Sequence, residues 1–257
     1  MQTLEEFIKT NRYFVVAHRG SSGTAPENTL SAFREAIASG AKMIESDIQL
    51  TSDGHIIAFH DKGLSRTTNG SGWTSQTPLE ELKKLDAGSW FGEKYINEKI
   101  PTLEEIFDLI KGSAFINIEV KNIHCDYDTE GIKKIISVVK KTNFRDYILF
   151  SSFYYNSLLE IKKCDPLFHT AAIRIPKDKT LPSVISKAIG TEAFVCSVDE
   201  LNQEVSDDAM EKNIYIGVYS VDDVDSLDKI LNFNVHAIVT NYPAKIISEL
   251  KSRKLLT

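Results

Sequence analysis

A (β/α)8 barrel, an α/β fold of the TIM-barrel type, is the architecture this sequence predicts, on three observations. Short apolar runs rich in β-branched residues alternate with helix-period segments along nearly the whole chain. The runs number nine, and two of them are the arms of one hairpin with no helix between, which leaves eight barrel strands. The length of 257 residues suits one barrel and does not force a second domain. Strand count alone leaves a doubly wound open sheet as the alternative, but no GxGxxG follows the first strand to support a dinucleotide site. The chain is therefore read as one domain over 1–257, with a small insertion over 62–101.

The elements follow in order. Tyr13 to Ala17 is a continuous apolar run, as a buried parallel strand should be, and it ends in His18-Arg19-Gly20. Thr29 to Ser39 has Leu30, Phe33 and Ile37 at helical spacing, with Asn28 as expected N-cap and Gly40 beyond its end. Met43 to Asp61 reads as strand, tight turn and returning strand. Glu45, Asp47 and Gln49 share one face of its first arm. A two-residue turn at Asp53-Gly54 would set Ser52 against His55 and His60 against Asp47. The first arm is barrel strand two, and the hairpin extends it above the barrel and back to the rim.

The insertion is rich in Gly, Ser and Thr and holds both tryptophans. It is too long for a bare connection, so a small structure of its own is expected. One short helix starts at Thr77-Pro78-Leu79-Glu80, with Thr77 as cap, and Trp73, Trp90, Phe91 and Tyr95 are expected to form a mini-core. Regular alternation then resumes. Thr102-Leu103-Glu104-Glu105 is a capping box that opens a helix to about Lys111. Strands are expected at Phe115–Val120, Tyr147–Phe150, His169–Ile173, Ala193–Cys196, Tyr215–Val218 and Ala237–Val239. Helices are expected at Thr129–Lys141, Asn156–Lys163, Leu181–Ile189, Asp207–Lys212, Val221–Leu231 and Pro243–Leu250.

Hydrophobic residues make up 42% and charged residues 26%, a globular balance. The net charge of −6, with both signs interspersed, gives no basic surface for nucleic acid. Cys125, Cys164 and Cys196 are odd in number and far apart, which argues against a disulfide framework and for a reducing compartment. The first residues carry acidic groups and no apolar run, unlike a secretory signal. No stretch approaches the roughly 20 apolar residues of a membrane span. A cytoplasmic protein without stable membrane insertion is expected.

In such a barrel the strand C-termini hold the active site. Those ends supply His18 and Arg19, then Glu45 and Asp47 with His60 returned by the hairpin, then Glu119 and Lys121, Ser152 and Phe153, Tyr219, and Asn241. Three carboxylates, Glu45, Asp47 and Glu119, suffice for one hard divalent cation, Mg²⁺ or Ca²⁺. Zinc fits less well, because thiolates are absent from this set. Arg19 and Lys121 offer fixed positive charge to a phosphoryl group, although Lys121 could equally pair with Glu119 on the same face. His18 and His60 suit acid/base work near neutrality. His55, His124, His169 and His236 lack such company and are expected to be structural or on the surface. Asp61 orients an imidazole or caps the turn.

These motifs resemble those of the glycerophosphodiester phosphodiesterases. The resemblance rests on His18-Arg19-Gly20, Pro26-Glu27-Asn28-Thr29, Glu45-x-Asp47, His60-Asp61 and Glu119-x-Lys121 in this order. It extends through Asp86-Ala87-Gly88-Ser89-Trp90-Phe91 and Ser151-Ser152-Phe153. It implies a TIM barrel with a small insertion after the His-Asp motif. It implies hydrolysis of small-molecule glycerophosphodiesters to sn-glycerol 3-phosphate and an alcohol, with a divalent metal on Glu45, Asp47 and Glu119. It further implies His18 and His60 as the acid/base pair, Arg19 and Lys121 on the phosphate with Phe153 and Tyr219 in the substrate pocket, and Glu27 and Asn28 as support. Attack by the glycerol 2-hydroxyl, giving a cyclic phosphate that water then opens, is one route it implies. A phospholipase-like enzyme on the same barrel is a rival, as is a barrel that only binds phosphodiesters. Three departures stand out, namely Cys196-Ser197 for the family's frequent His-Pro, Tyr219 for its usual Trp, and Thr240-Asn241-Tyr242-Pro243 for Thr-Asp-Tyr-Pro. They are expected to affect the substrate pocket rather than the reaction.

Overall fold

The structure, a computed structural model, describes residues 2–121 and 129–256, so His124 and Cys125 lie outside the described residues. Among the described residues nine strands occur in chain order: β1 (Phe14–Ala17), β2 (Met43–Leu50), β3 (Ile56–Ala58), β4 (Phe115–Val120), β5 (Ile148–Ser152), β6 (His169–Ile173), β7 (Ala193–Ser197), β8 (Tyr215–Tyr219) and β9 (Ala237–Thr240). The helices are α1 (Leu4–Thr10), α2 (Leu30–Ala38), α3 (Leu79–Leu82), α4 (Leu103–Ile110), α5 (Thr129–Lys141), α6 (Tyr155–Cys164), α7 (Pro182–Ile189), α8 (Gln203–Glu211), α9 (Val224–Ile230) and α10 (Pro243–Ser252). Every strand but β3 pairs in parallel with its neighbours, and β1 pairs with both β2 and β9. That double pairing closes the sheet, so the open-sheet alternative falls.

The main core lies between barrel and helices. It joins outward-facing residues such as Ile44, Ile118, Phe150 and Phe194 to the apolar faces of the surrounding helices. Helix ends are capped where the sequence provides a short polar side chain. Thr102 accepts from the Glu105 amide while Glu105 accepts from the Thr102 amide, the expected reciprocal box. The same device at Thr3 and Glu6 starts α1, a helix not anticipated from the sequence because seven residues carry too little apolar period. Its Leu4 and Phe7 bury against Phe14, Met43 and Phe115 at the barrel's N-terminal end.

The hairpin forms as expected, but its register does not. Gly54, at φ 82°, sits in a left-handed conformation, and the loop holds three residues, Ser52-Asp53-Gly54, closed by the Thr51 amide donating to His55 O. The observed partners are Gln49 with Ile57 and Leu50 with Ile56. The residue across from Asp47 is therefore Phe59, whose amide donates to Asp47 O at 3.0 Å, and not His60. The extra loop residue shifts every pair by one.

The insertion carries a small core of Phe59, Leu64, Leu82, Ala87 and Ile100 packed on Ile57 of β3. Its composition differs from expectation. Trp73 and Trp90 are 53% and 41% exposed, and Tyr95 buries instead against Ala25 and Ala32 of the barrel layer. The short helix α3 begins after Pro78, not at it, and Thr77 gives it no cap, because the Thr77 hydroxyl donates to Trp73 O.

Candidate active site

The turn after β1 shapes the site first. Arg19 and Gly20 both have positive φ, 53° and 81°, and a Cβ on Gly20 would lie 2.6–2.8 Å from Ala32. Only glycine fits so close beneath α2. The turn aims the Arg19 amide at Glu45 Oε2, 2.8 Å away. It also sends the guanidinium to Asp47 Oδ2 through Nε at 3.0 Å and to Glu27 Oε1 through Nη1 at 2.9 Å.

β2 and β4 run side by side with Asp47 level with Glu119. Glu45, Asp47 and Glu119 each offer a carboxylate oxygen, and these oxygens lie within 4.8 Å of one another. All three side chains are buried. Lys121 Nζ bridges Asp47 Oδ1 at 2.8 Å and Glu119 Oε1. The expected pairing of Lys121 with Glu119 is thus real, and it includes Asp47. Burial and the charges of Asp47 and Glu119 push Glu45 well above the ordinary carboxylate range, and burial with Asp47 raises Glu119. Burial acts on Asp47 too, but Lys121 and Arg19 outweigh it and hold Asp47 far below that range. The cluster has more negative charge than its two cations satisfy. Glu45 Oε1 is buried and accepts no hydrogen bond, so an oxygen donor stands ready for a hard cation beside the two carboxylates that Lys121 bridges. The residues present fit a divalent ion of the Mg²⁺ or Ca²⁺ type.

Asn28 supports this cluster and does not cap α2. Its amide donates to Asp47 Oδ2 at 2.8 Å, while its carbonyl accepts from Ser46 Oγ and the Asp47 amide. Thr29 caps α2 instead, accepting from the Ala32 amide. Both residues are plausible caps by type, and the buried carboxylate decides between them.

The histidines are held from behind. His18 Nδ1 lies 2.7 Å from Asn241 Oδ1. Asn241 Nδ2 in turn donates to Asp222 Oδ2 at 2.6 Å, and the Asn241 amide and Thr240 hydroxyl donate to Asp222 Oδ1. Asp222 accepts, so Asn241 must turn its NH₂ toward it and its carbonyl toward His18. The hydrogen-bond pattern thereby assigns the His18 proton to Nδ1 and leaves Nε2 free. Burial, then Arg19, lowers the pKa of His18 and keeps the ring neutral. His60 Nδ1 lies 2.5 Å from Asp61 Oδ1. Asp61 is held at about 2, chiefly by Arg66 and then by His60 against its partial burial. Arg66 also donates twice to Glu27, which links the backing of His60 to that of Arg19. Gln49 Nε2 lies within 2.9 Å of the carbonyls of Phe59, His60 and Asp61. This grip brings His60 to the site although the hairpin register does not.

His18, Arg19, Glu45, His60, Glu119, Lys121, Phe153 and Tyr219 all line one cavity at the C-terminal pole, and Asp47, Glu27 and Asn28 stand directly behind them. His55 is exposed, whereas His169 and His236, both half-buried, line the cavity's far end, where His236 Nδ1 accepts from the Ile216 amide. Sequence reasoning missed Arg66, which no spacing ties to Glu27 and Asp61 across the insertion. It also missed Asp222, although its place just beyond β8 was a usable signal. The Asn241 departure touches the support of His18, not the substrate pocket.

The sequence matches the model of the glycerophosphoryl diester phosphodiesterase family over residues 18–245. A glycerophosphodiester phosphodiesterase of Caldanaerobacter subterraneus is 37% identical over 238 residues, which is 91% of this chain and 96% of that one. One from Bacillus subtilis is 34% identical over 92% of this chain and 86% of its own. Among solved structures, an Oleispira antarctica phosphodiesterase in complex with the product sn-glycerol-3-phosphate superposes with a TM-score of 0.87 at 34% identity, covering 93% of this chain and 96% of the other.

Proposed function

The chain belongs to the glycerophosphoryl diester phosphodiesterase family, and on that premise we propose that it hydrolyses glycerophosphodiesters to sn-glycerol 3-phosphate and an alcohol. We take 1–257 as one catalytic domain with 62–101 as its insertion, and the cytoplasm as its compartment. Among the described residues no helix is long and apolar enough to cross a membrane.

The observation that carries the mechanism is the pair of differently backed histidines over a buried carboxylate cluster. His18, neutral and protonated on Nδ1, presents an unprotonated Nε2. It takes the proton of the glycerol 2-hydroxyl as that oxygen attacks phosphorus. His60 gives a proton to the departing alcohol oxygen, and Asp61 behind it holds the ring's orientation. Water then opens the cyclic phosphate with the two roles exchanged. Glu45, Asp47 and Glu119 would hold one Mg²⁺ or Ca²⁺, which when bound supplies Lewis-acid polarisation of a phosphoryl oxygen. Arg19 and Lys121 bind the phosphate oxygens and offset the charge that develops on them. Phe153 and Tyr219 wall the substrate's other side.

Release of glycerol 3-phosphate from several head groups tests this reading. A chelator abolishes it, and Mg²⁺ or Ca²⁺ restores it. His18→Ala and His60→Ala each cost roughly 10²–10⁴-fold in rate. A nitrophenyl leaving group, which needs no proton, rescues His60→Ala and leaves His18→Ala impaired. Equal rates with and without chelator refute the metal assignment, and rescue of the wrong variant exchanges the histidines' roles.

A further inference from the structure

The side chain of Arg66 is 45% exposed, and ion pairs of surface arginines ordinarily contribute little. The geometry here is of another kind. Nε donates to Asp61 Oδ2 at 2.5 Å and Nη2 to Asp61 Oδ1 at 3.1 Å. Nη1 donates to Glu27 Oε2 at 2.9 Å and Nη2 to Glu27 Oε1 at 2.7 Å. One planar guanidinium grips two carboxylates with two bonds each, which a lysine ammonium has no fork to do. The backbone around it is fixed. Leu64, Thr67 and Thr68 are buried, the Leu64 amide donates to Gly72 O, and the Thr68 hydroxyl donates to Leu64 O.

The two carboxylates face different groups of the site. Asp61 Oδ1, held ionised, accepts from His60 Nδ1. Glu27 Oε1 accepts from Arg19 Nη1 at 2.9 Å. A run of alternating charge, His60–Asp61–Arg66–Glu27–Arg19, therefore joins the donor to the leaving alcohol with the arginine on the phosphate. Arg66 alone in this run comes from the insertion. The insertion holds the segment that carries Glu27 at two further points. The Tyr95 hydroxyl donates to Thr24 O at 2.8 Å, and the Ser31 hydroxyl donates to Glu98 Oε2 at 2.5 Å.

We propose that Arg66 is a positioning residue for the reaction, aligning His60 through Asp61 and Arg19 through Glu27, so that the insertion is a working part of the active site. The proposal rests on the phosphodiesterase reading above. Nη2 touches both carboxylates, so without the guanidinium they repel each other across one atom's place. Asp61 then leaves the line of His60 Nδ1, and Glu27 leaves that of Arg19.

Steady-state kinetics with saturating Mg²⁺ on glycerophosphocholine and on the nitrophenyl ester of glycerol 3-phosphate test this. Choline needs the proton of His60 to depart and nitrophenolate does not, so the two arms separate. In Arg66→Ala, kcat/KM for glycerophosphocholine falls roughly 10–100-fold, the usual cost of losing a supporting partner. The nitrophenyl ester loses only the part owed to Arg19, at least about threefold less. Arg66→Lys keeps the charge without the fork and falls nearly as far. The thermal midpoint stays within about 4 °C of wild type. In an Asp61→Asn chain, Arg66→Ala costs both substrates alike, because the His60 arm is already gone. Equal losses on both substrates in the native chain, full activity in Arg66→Lys, or a loss that follows a collapsed midpoint overturns the proposal. Proton NMR reads the clamp without turnover. The His60 Nδ1 proton, assigned by its absence in His60→Ala, resonates far downfield in the wild type and is lost to exchange in Arg66→Ala, or in Arg66→Lys should the alanine variant not fold. Persistence of that resonance in the variant also overturns the proposal. A wild-type protein that hydrolyses no diester refutes the phosphodiesterase reading, and loss of the resonance then still supports the clamp.

Discussion

At the scale of single residues, Asn241 bears most directly on the chemistry. It separates two groups that a carboxylate at the same place would couple. Its NH₂ satisfies Asp222, and its carbonyl fixes the His18 proton on Nδ1. In Asn241→Asp the donor to Asp222 is lost and two carboxylates meet at hydrogen-bond distance, so they must share a proton. The oxygen facing His18 then gains negative charge, which favours the imidazolium. His18 is depressed by burial and by Arg19 in the native chain, and this substitution opposes that depression. A base is active when neutral, so the acid limb of kcat/KM moves to higher pH, by about one unit. Asp222→Asn added to the same chain returns the limb toward its wild-type position. A pH–rate profile that does not move in Asn241→Asp excludes this positioning role. The sequence made Asn241 visible as a departure from a resembled motif, but its meaning required Asp222, nineteen residues earlier in the chain and reachable only after β8 and β9 are laid side by side.

At the scale of elements, the turn from β1 into α2 is the most constrained segment. Gly20→Ala places a methyl against the Ala32 backbone at a positive φ and moves the Arg19 amide away from Glu45. The expected cost is roughly 1–3 kcal/mol in denaturant unfolding, together with a loss of turnover larger than stability alone explains. A wild-type midpoint and rate would show that the turn tolerates a side chain. Elements of this kind were legible because their signals are local. Apolar runs gave β4 and β6 to the residue, and the Thr102–Glu105 box gave the start of α4. The hairpin was legible as an element and wrong in register, because Asp53-Gly54 admits both a two-residue and a three-residue loop. The cap of α2 failed for a related reason. Asn28 and Thr29 are both good caps, and the choice depends on a carboxylate nineteen positions away. The mini-core of the insertion held in part: Trp90, Phe91 and Tyr95 meet edge to face, while Trp73 faces solvent, because aromatic content does not say which rings do.

At the scale of the whole molecule, closing the barrel gathers like charges that no local sequence would place together, and this has a thermodynamic signature. Burial and mutual repulsion raise Glu45 and Glu119 above the ordinary carboxylate range. Without metal, the folded chain therefore holds protons there that the unfolded chain has already released. Its stability falls as pH rises from the ordinary carboxylate range up through the raised folded values. Asp47 acts in the opposite sense, since Lys121 and Arg19 outweigh its burial. Its contribution is present above the unfolded pKa and is lost only as pH falls through its depressed folded value, a more acid window. A divalent cation binds the deprotonated cluster, so its stabilisation grows with pH where the glutamates lose their protons. Thermal melts with saturating Mg²⁺ or Ca²⁺ and with chelator should then separate. The gap in Tm is small near about pH 5 and widens toward about pH 8. Glu45→Gln removes the most strongly raised carboxylate, so it lifts the chelated Tm at high pH and narrows the gap. A gap that is independent of pH, or widest in acid, would mean that the cation sits elsewhere and that the three carboxylates are balanced by Arg19 and Lys121 alone.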